Sequence, residues 1–258
     1  MGKANWLAIT LGKMTPEQIK QLRFALSQPR YADWPAQPIV PGNWRDLDGD
    51  LAINTVVAIC EWLEDERDIR NLSVDWSIDR ARVRPLTCYE DTMLVELGGH
   101  AGFGRPGLMN IIVHEDGMAL LDGTSTVIHD LNLEFPPLLD TADQRREYLH
   151  LFMNWVHADN GRFQPVATQA DLQRRLFTGG DTSFETITLS AFEETVPPEG
   201  SDALAHYTGT VLYGTSLFQG VMAVYRGGIV EMIDDVELMS GLPVREESLV
   251  GPMIINRI

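Results

Sequence analysis

Asp122, Ser125, His129 and Asp130 fall within nine residues and include every side-chain type of a Ser-His-Asp hydrolase. That chemistry needs a hydroxyl nucleophile, an imidazole to take its proton and a carboxylate to orient the imidazole. Triad members normally come from distant segments, and no GxSxG elbow presents Ser125. The same residues suit a turn, with Asp122-Gly123 ending a strand and Thr124 and Ser125 satisfying loop backbone groups. Turn chemistry is the expectation here.

Upstream, residues 98–107 read GGHAGFGRPG, with five glycines in ten residues. Glycine loops expose amides to anions, and His100 and Arg105 add polar groups to this one. Gly102, Gly104 and Gly107 satisfy GxGxxG. A dinucleotide site needs a helix after its glycines, whereas Pro106 and a strand-like run follow here. No Lys-Ser/Thr pair completes a P-loop. A hairpin connection is expected, with Asp122, His129 and His100 as candidate catalytic groups and Arg105 as a candidate anion ligand.

Arg80, Arg82 and Arg84 alternate, so in a strand they share one face. Pairing with alternating acids such as Glu231, Asp235 and Glu237 is expected, the other use being an anion site. Asp46, Asp48 and Asp50 mimic the start of a calcium loop, but Leu51 stands at its glycine position and Val57 at its final glutamate. Asp48 or Asp50 is expected to cap a helix instead. Glu147 and His150 form an ExxH with no second copy. His150 and His157 would lie about 10.5 Å apart along a helix, too far to share a metal. Leu120–Ser125 and Leu138–Asp143 resemble scrambled aspartic-protease sequence and place no carboxylate dyad. No metal and no cofactor are expected.

The elements that must position these residues follow from periodicity. A short strand at 4–11 precedes a helix opened by Thr15-Pro16-Glu17-Gln18 and stopped by Pro29. Residues 29–45 form a proline-rich loop packed on the surface. Residues 51–69 are apolar nearly all round until Glu61, a buried helix whose end emerges. Alternating segments at 72–79 and 83–97 read as strands, and Asp116-Gly117 as a hairpin turn. Residues 131–139 read as a Pro-containing connection. A capping box at Thr141–Gln144 opens a central helix to about His157. A shorter one at 168–177 ends at Gly179-Gly180. From 184 the period is two, giving an antiparallel meander with a turn at Gly227-Gly228.

The expected fold is α+β, antiparallel sheets of hairpins and a meander packed with a central helical block, either as a single domain or as two lobes at 1–165 and 166–258. Apolar residues are 44% and charged residues 22% of the 258, which excludes a disordered or fibrous chain. Lys plus Arg number 20 against 37 Asp plus Glu, a formal net charge of −17. Such a surface repels nucleic acid and anionic membranes, and solubilises or offers an acidic face to a basic partner. Cys60 and Cys88 read as small buried hydrophobes, which fits a reducing compartment. The first residues lack a signal-peptide pattern, and no apolar run approaches the ~20 residues that span a bilayer. The expected protein is cytoplasmic and non-catalytic, regulatory, adaptor or neutralising in role. It would act by binding a protein partner or by self-association, with no nucleic acid and no membrane. The alternative is a small hydrolase or transferase whose site comes from residues 98–130.

Overall fold

A computed structural model describes residues 34, 38–66, 77–101, 105–177, 187–250 and 253–256. The expected strand at 4–11, the helix after Thr15, Gly102, Gly104 and Gly179-Gly180 lie outside them.

The architecture is α+β with antiparallel sheets, as the alternating and helical periods imply. The first sheet is built on three long strands, β2 (Ser77–Leu86), β3 (Thr92–Ala101) and β4 (Arg105–His114). β1 (Arg45–Leu47) extends it beside β2. On the far side of β4, two strands share one edge: β5 (Gly117–Leu120) pairs with Ile111–His114 and β14 (Met253–Asn256) with Gly107 and Leu108. β13 (Glu247–Val250) closes the sheet beside β14.

Helix α1 (Gly49–Glu66) covers one face of this sheet. Ala52, Ile53, Val56, Val57, Cys60 and Leu63 recur at three- and four-residue spacing, so one stripe meets Val83, Val95, Leu97, Met109 and Ile111. On the other face Leu94, Ile112 and Ile254 join a second core with α2 (Ser125–Glu134) and α3 (Ala142–Trp155). Ala205, Tyr207, Val211, Met222 and Val224 of the second sheet complete that core. α3 therefore packs between the two sheets, which is why Tyr148, Leu149, Leu151, Met153 and Trp155 are buried around more than half of it. This core takes residues from both sides of position 165, and β13 and β14 return to the first sheet.

The second sheet runs in the order β12 (Val230–Met239), β11 (Ser216–Val224), β10 (Ala205–Tyr213), β8 (Gln164–Pro165), with β9 (Glu193–Thr195) also on β10. The small hairpin of β6 (His157–Ala158) and β7 (Gly161–Arg162) and the short helix α4 (Gln169–Arg175) precede it. α4 starts on a capping box from Thr168 to Asp171, and α3 on the expected one from Thr141 to Gln144.

Three details differ from expectation. The 83–97 run is two strands broken at 87–91, where Asp91 takes φ 42° and Cys88 sits buried in the turn. The hairpin after β4 turns through Glu115 and Asp116, because His114 pairs with Gly117. Residues 125–134, expected as turn and connection, are helix α2. Its N-cap Thr124 makes no side-chain cap bond, so no local signal marks the start. Burial of Ile128 and Leu131 stabilises it instead.

Candidate functional site

A cleft of about 800 Å³ opens between the β4–β5 hairpin, the 122–124 turn and one face of α2, with Trp62 of α1 at its side. Thr126, Asp130 and Glu134 follow one another at four-residue spacing, so a single helix face presents them. Asp116 and Asp122 complete a lining of four carboxylates without Arg or Lys. His114 packs on Phe135 with the rings tilted and their centres 4.2 Å apart, and its Nδ1 accepts from the Asp116 amide at 3.2 Å. The cleft is acidic and partly aromatic.

Only some of the candidate catalytic residues enter it. Asp122 lines the cleft, and its Oδ1 accepts from the Thr124 amide at 3.0 Å and the Thr124 hydroxyl at 2.7 Å. That is turn chemistry. His129 points away from the cleft to Phe152, with ring centres 6.0 Å apart. His100 lies toward the end of β3, 3.6 Å from Asp79, and Arg105 opens β4 opposite Ala101. The described residues of the glycine-rich stretch lie in paired strands, with Gly98 and Gly99 in β3 and Gly107 in β4.

The arginine stripe is internal. β2 and β12 belong to different sheets, so Glu231, Asp235 and Glu237 are not its partners. Arg82 Nε donates to Glu96 on the adjacent strand at 2.6 Å, and its guanidinium stacks 3.9 Å from the Trp34 ring centre. Arg84 pairs with Glu147 of α3 and donates to the Pro41 carbonyl. Arg80 pairs with Asp79 at 2.7 Å. All three arginines are buried. Glu147 Oε2 also accepts from the Thr87 amide at 2.5 Å and the Cys88 amide at 3.0 Å, so its carboxylate stitches α3 to the β2–β3 turn. Burial pushes the Glu96 carboxyl up to about 7 even though Arg82 pulls it down.

Neither cysteine is an activated nucleophile. Burial pushes the Cys60 thiol up to about 12, and burial together with Glu147 raises that of Cys88. Among the described residues no three His, Cys, Asp or Glu side chains are placed to hold a metal ion. No described helix is long and apolar enough to cross a membrane.

The most exposed regular element is β12. It pairs with β11 along one edge, and among the described residues nothing pairs with the other. Met232, Ile233, Val236 and Leu238 are 36%, 44%, 61% and 38% exposed, interleaved with exposed Glu231, Asp234, Asp235 and Glu237. Two register shifts against β11 leave Ile233 and Leu238 as bulged residues. The sequence showed this segment as one more meander strand. Acids on both parities of VEMIDDVELM were the available signal that neither face is buried.

No family model, curated protein or solved structure matches this chain.

Proposed function

We propose that the protein acts by binding another protein through β12, in a regulatory, adaptor or neutralising role rather than a catalytic one. The observation that carries this is the exposed edge itself. A strand of this length, whose outer backbone donors and acceptors have no partner among the described residues and which exposes four apolar side chains, is a ready template for another chain. Its use as an interface accounts for both features. The net charge of −17 adds long-range attraction toward a cationic partner.

A hydrolase or transferase reading of residues 98–130 draws its support from the cleft that Asp122 lines. His129 and His100 would have to act from outside that cleft, which favours the binding reading.

The test is co-purification with the full-length tagged chain from its native host, comparing wild type with Val236→Asp/Leu238→Asp. The expected result is a stoichiometric polypeptide that is lost from the variant and rebinds wild type once purified. A partner retained equally by the variant, or no partner at all, overturns the proposal.

A further inference from the structure

Between the bulges at Ile233 and Leu238, four consecutive residues of β12 run in unbroken register: Asp234, Asp235, Val236 and Glu237 oppose Val221, Gly220, Gln219 and Phe218. Alternation puts Asp234 and Val236 on one face and Asp235 and Glu237 on the other. Glu231 accepts a bond from the Tyr225 hydroxyl. Among the described residues no cation lies within ion-pair distance of Asp234, Asp235 or Glu237. The bulges limit any added strand to this short segment, because a bulge interrupts the ladder and twists the edge away.

We infer that Asp234–Glu237 is a template for edge addition by a basic extended segment of a partner protein, an inference that rests on the binding reading above. Backbone hydrogen bonds supply the attachment, and side chains on both faces supply selectivity. An antiparallel partner places a cation opposite Glu237, an apolar residue opposite Val236 and cations opposite Asp235 and Asp234. Read along the partner, the pattern is cation–apolar–cation–cation. A second copy of this chain fits poorly. Two-fold antiparallel pairing opposes only residues of one face, so an axis at Val236 sets Asp235 against Glu237 of the other copy on both sides and an axis at Asp235 sets Asp235 against itself, and like charges directly opposite destabilise a sheet.

The probe is a capped peptide of about ten residues with Lys-Val-Lys-Lys at its centre, long enough to cover the segment at about 3.4 Å per residue. Its comparators carry Glu-Val-Glu-Glu, or the lysine sequence with alternate central nitrogens methylated. The lysine peptide is expected to bind the full chain at least about tenfold tighter than the glutamate one, more weakly as salt rises. Backbone methylation should abolish binding, as should Asp234→Lys/Glu237→Lys, a surface variant expected to keep the wild-type melting temperature. The amides of β12 that do not donate to β11 should exchange fast in the free protein and slowly with the peptide bound.

Equal binding of the methylated peptide overturns strand addition in favour of charge attraction alone. Binding that survives the double substitution places the contact elsewhere. Absence of binding at low salt overturns the inference, as does slow exchange of those outward amides in the free protein, which would mean that the chain itself or a second copy already occupies the edge. Each of these leaves the wider binding reading to stand or fall on co-purification.

Discussion

The Tyr148 hydroxyl donates to the Gly228 carbonyl at 2.7 Å, joining the middle of α3 to the β11–β12 turn eighty residues later. Asn132 of α2 donates to the same hydroxyl at 2.7 Å and accepts from Tyr89 at 2.6 Å. A buried chain of polar groups thus holds the base of the exposed strand against the helical layer. Its members satisfy one another, as polar groups in a low-dielectric core must.

Gly228 is therefore fixed twice, by its φ of 81° and by the lack of space around it. A Cβ there would come within 2.5 Å of the Tyr148 oxygen. Gly228→Val should destabilise the fold by about 3 kcal/mol, summing backbone strain and overpacking. Thermal unfolding measures this, and an unchanged midpoint would mean that the turn does not dock on Tyr148.

The place of that turn was legible because two adjacent glycines between alternating strands have few other uses, and both take positive φ; its length was not, since Tyr225 donates to Ile229 and the loop is Arg226–Gly228 rather than the two glycines alone. The Thr141 capping box was legible for the same reason: its bonds are local in sequence. What stayed hidden depends on distance along the chain. Glu147 read as half of a metal motif because its partners, Arg84 and the Thr87 amide, are sixty or more residues away. The arginine stripe was visible, yet nothing local distinguished Glu96 from the acids of β12 as its counter-charge. The cleft takes residues from α1, a hairpin and a helix with no start signal, so the sequence grouped Asp122 and Asp130 only as triad types and gave no sign that Asp116 and Glu134 join them.

Glu247 gives an acid-side prediction. Burial raises its carboxyl, but Arg162, donating at 2.8 and 2.6 Å, more than offsets this and holds it below the ordinary carboxylate value of 4.5. A depressed carboxyl contributes stability above its unfolded pKa and loses it as pH falls through the folded one. Glu247→Gln should cost about 3 kcal/mol at neutral pH by leaving Arg162 without its counter-charge. The gap from wild type should narrow below pH ~4.5. Denaturant titrations across that range measure it, and a constant gap would rule out the pair as the cause.

His150 acts in an adjoining window. Burial, aided by Arg146, lowers its pKa from 6.5 to about 4. The unfolded chain then binds more protons, so this contribution is complete above pH 6.5 and is lost as pH falls toward 4. By pH 5 the loss should be on the order of 1–2 kcal/mol. His150→Gln should flatten the stability curve between these limits. An identical slope in the variant would mean that another group titrates there.

Gly98 tests the packing over the arginine stripe. It lies directly across from Arg80 on β2, and a Cβ there would stand 2.6 Å from the Arg80 stem and 2.9 Å from the Trp34 ring. Arg80 has its guanidinium held by Asp79, and Trp34 is stacked on Arg82, so neither side chain has an easy retreat. Gly98→Ala should therefore cost about 1–3 kcal/mol, the usual penalty for overpacking. It should also shift tryptophan emission toward that of a wetter indole as Trp34 lifts. Gly117→Ala is the matched control, since it too is a strand glycine and a Cβ there meets nothing within 4 Å. That control should change stability by less than about 0.5 kcal/mol, as open surface positions do. If the two alanine variants unfold at the same temperature with the same emission, Trp34 does not rest on the arginines, and the stripe is open to solvent.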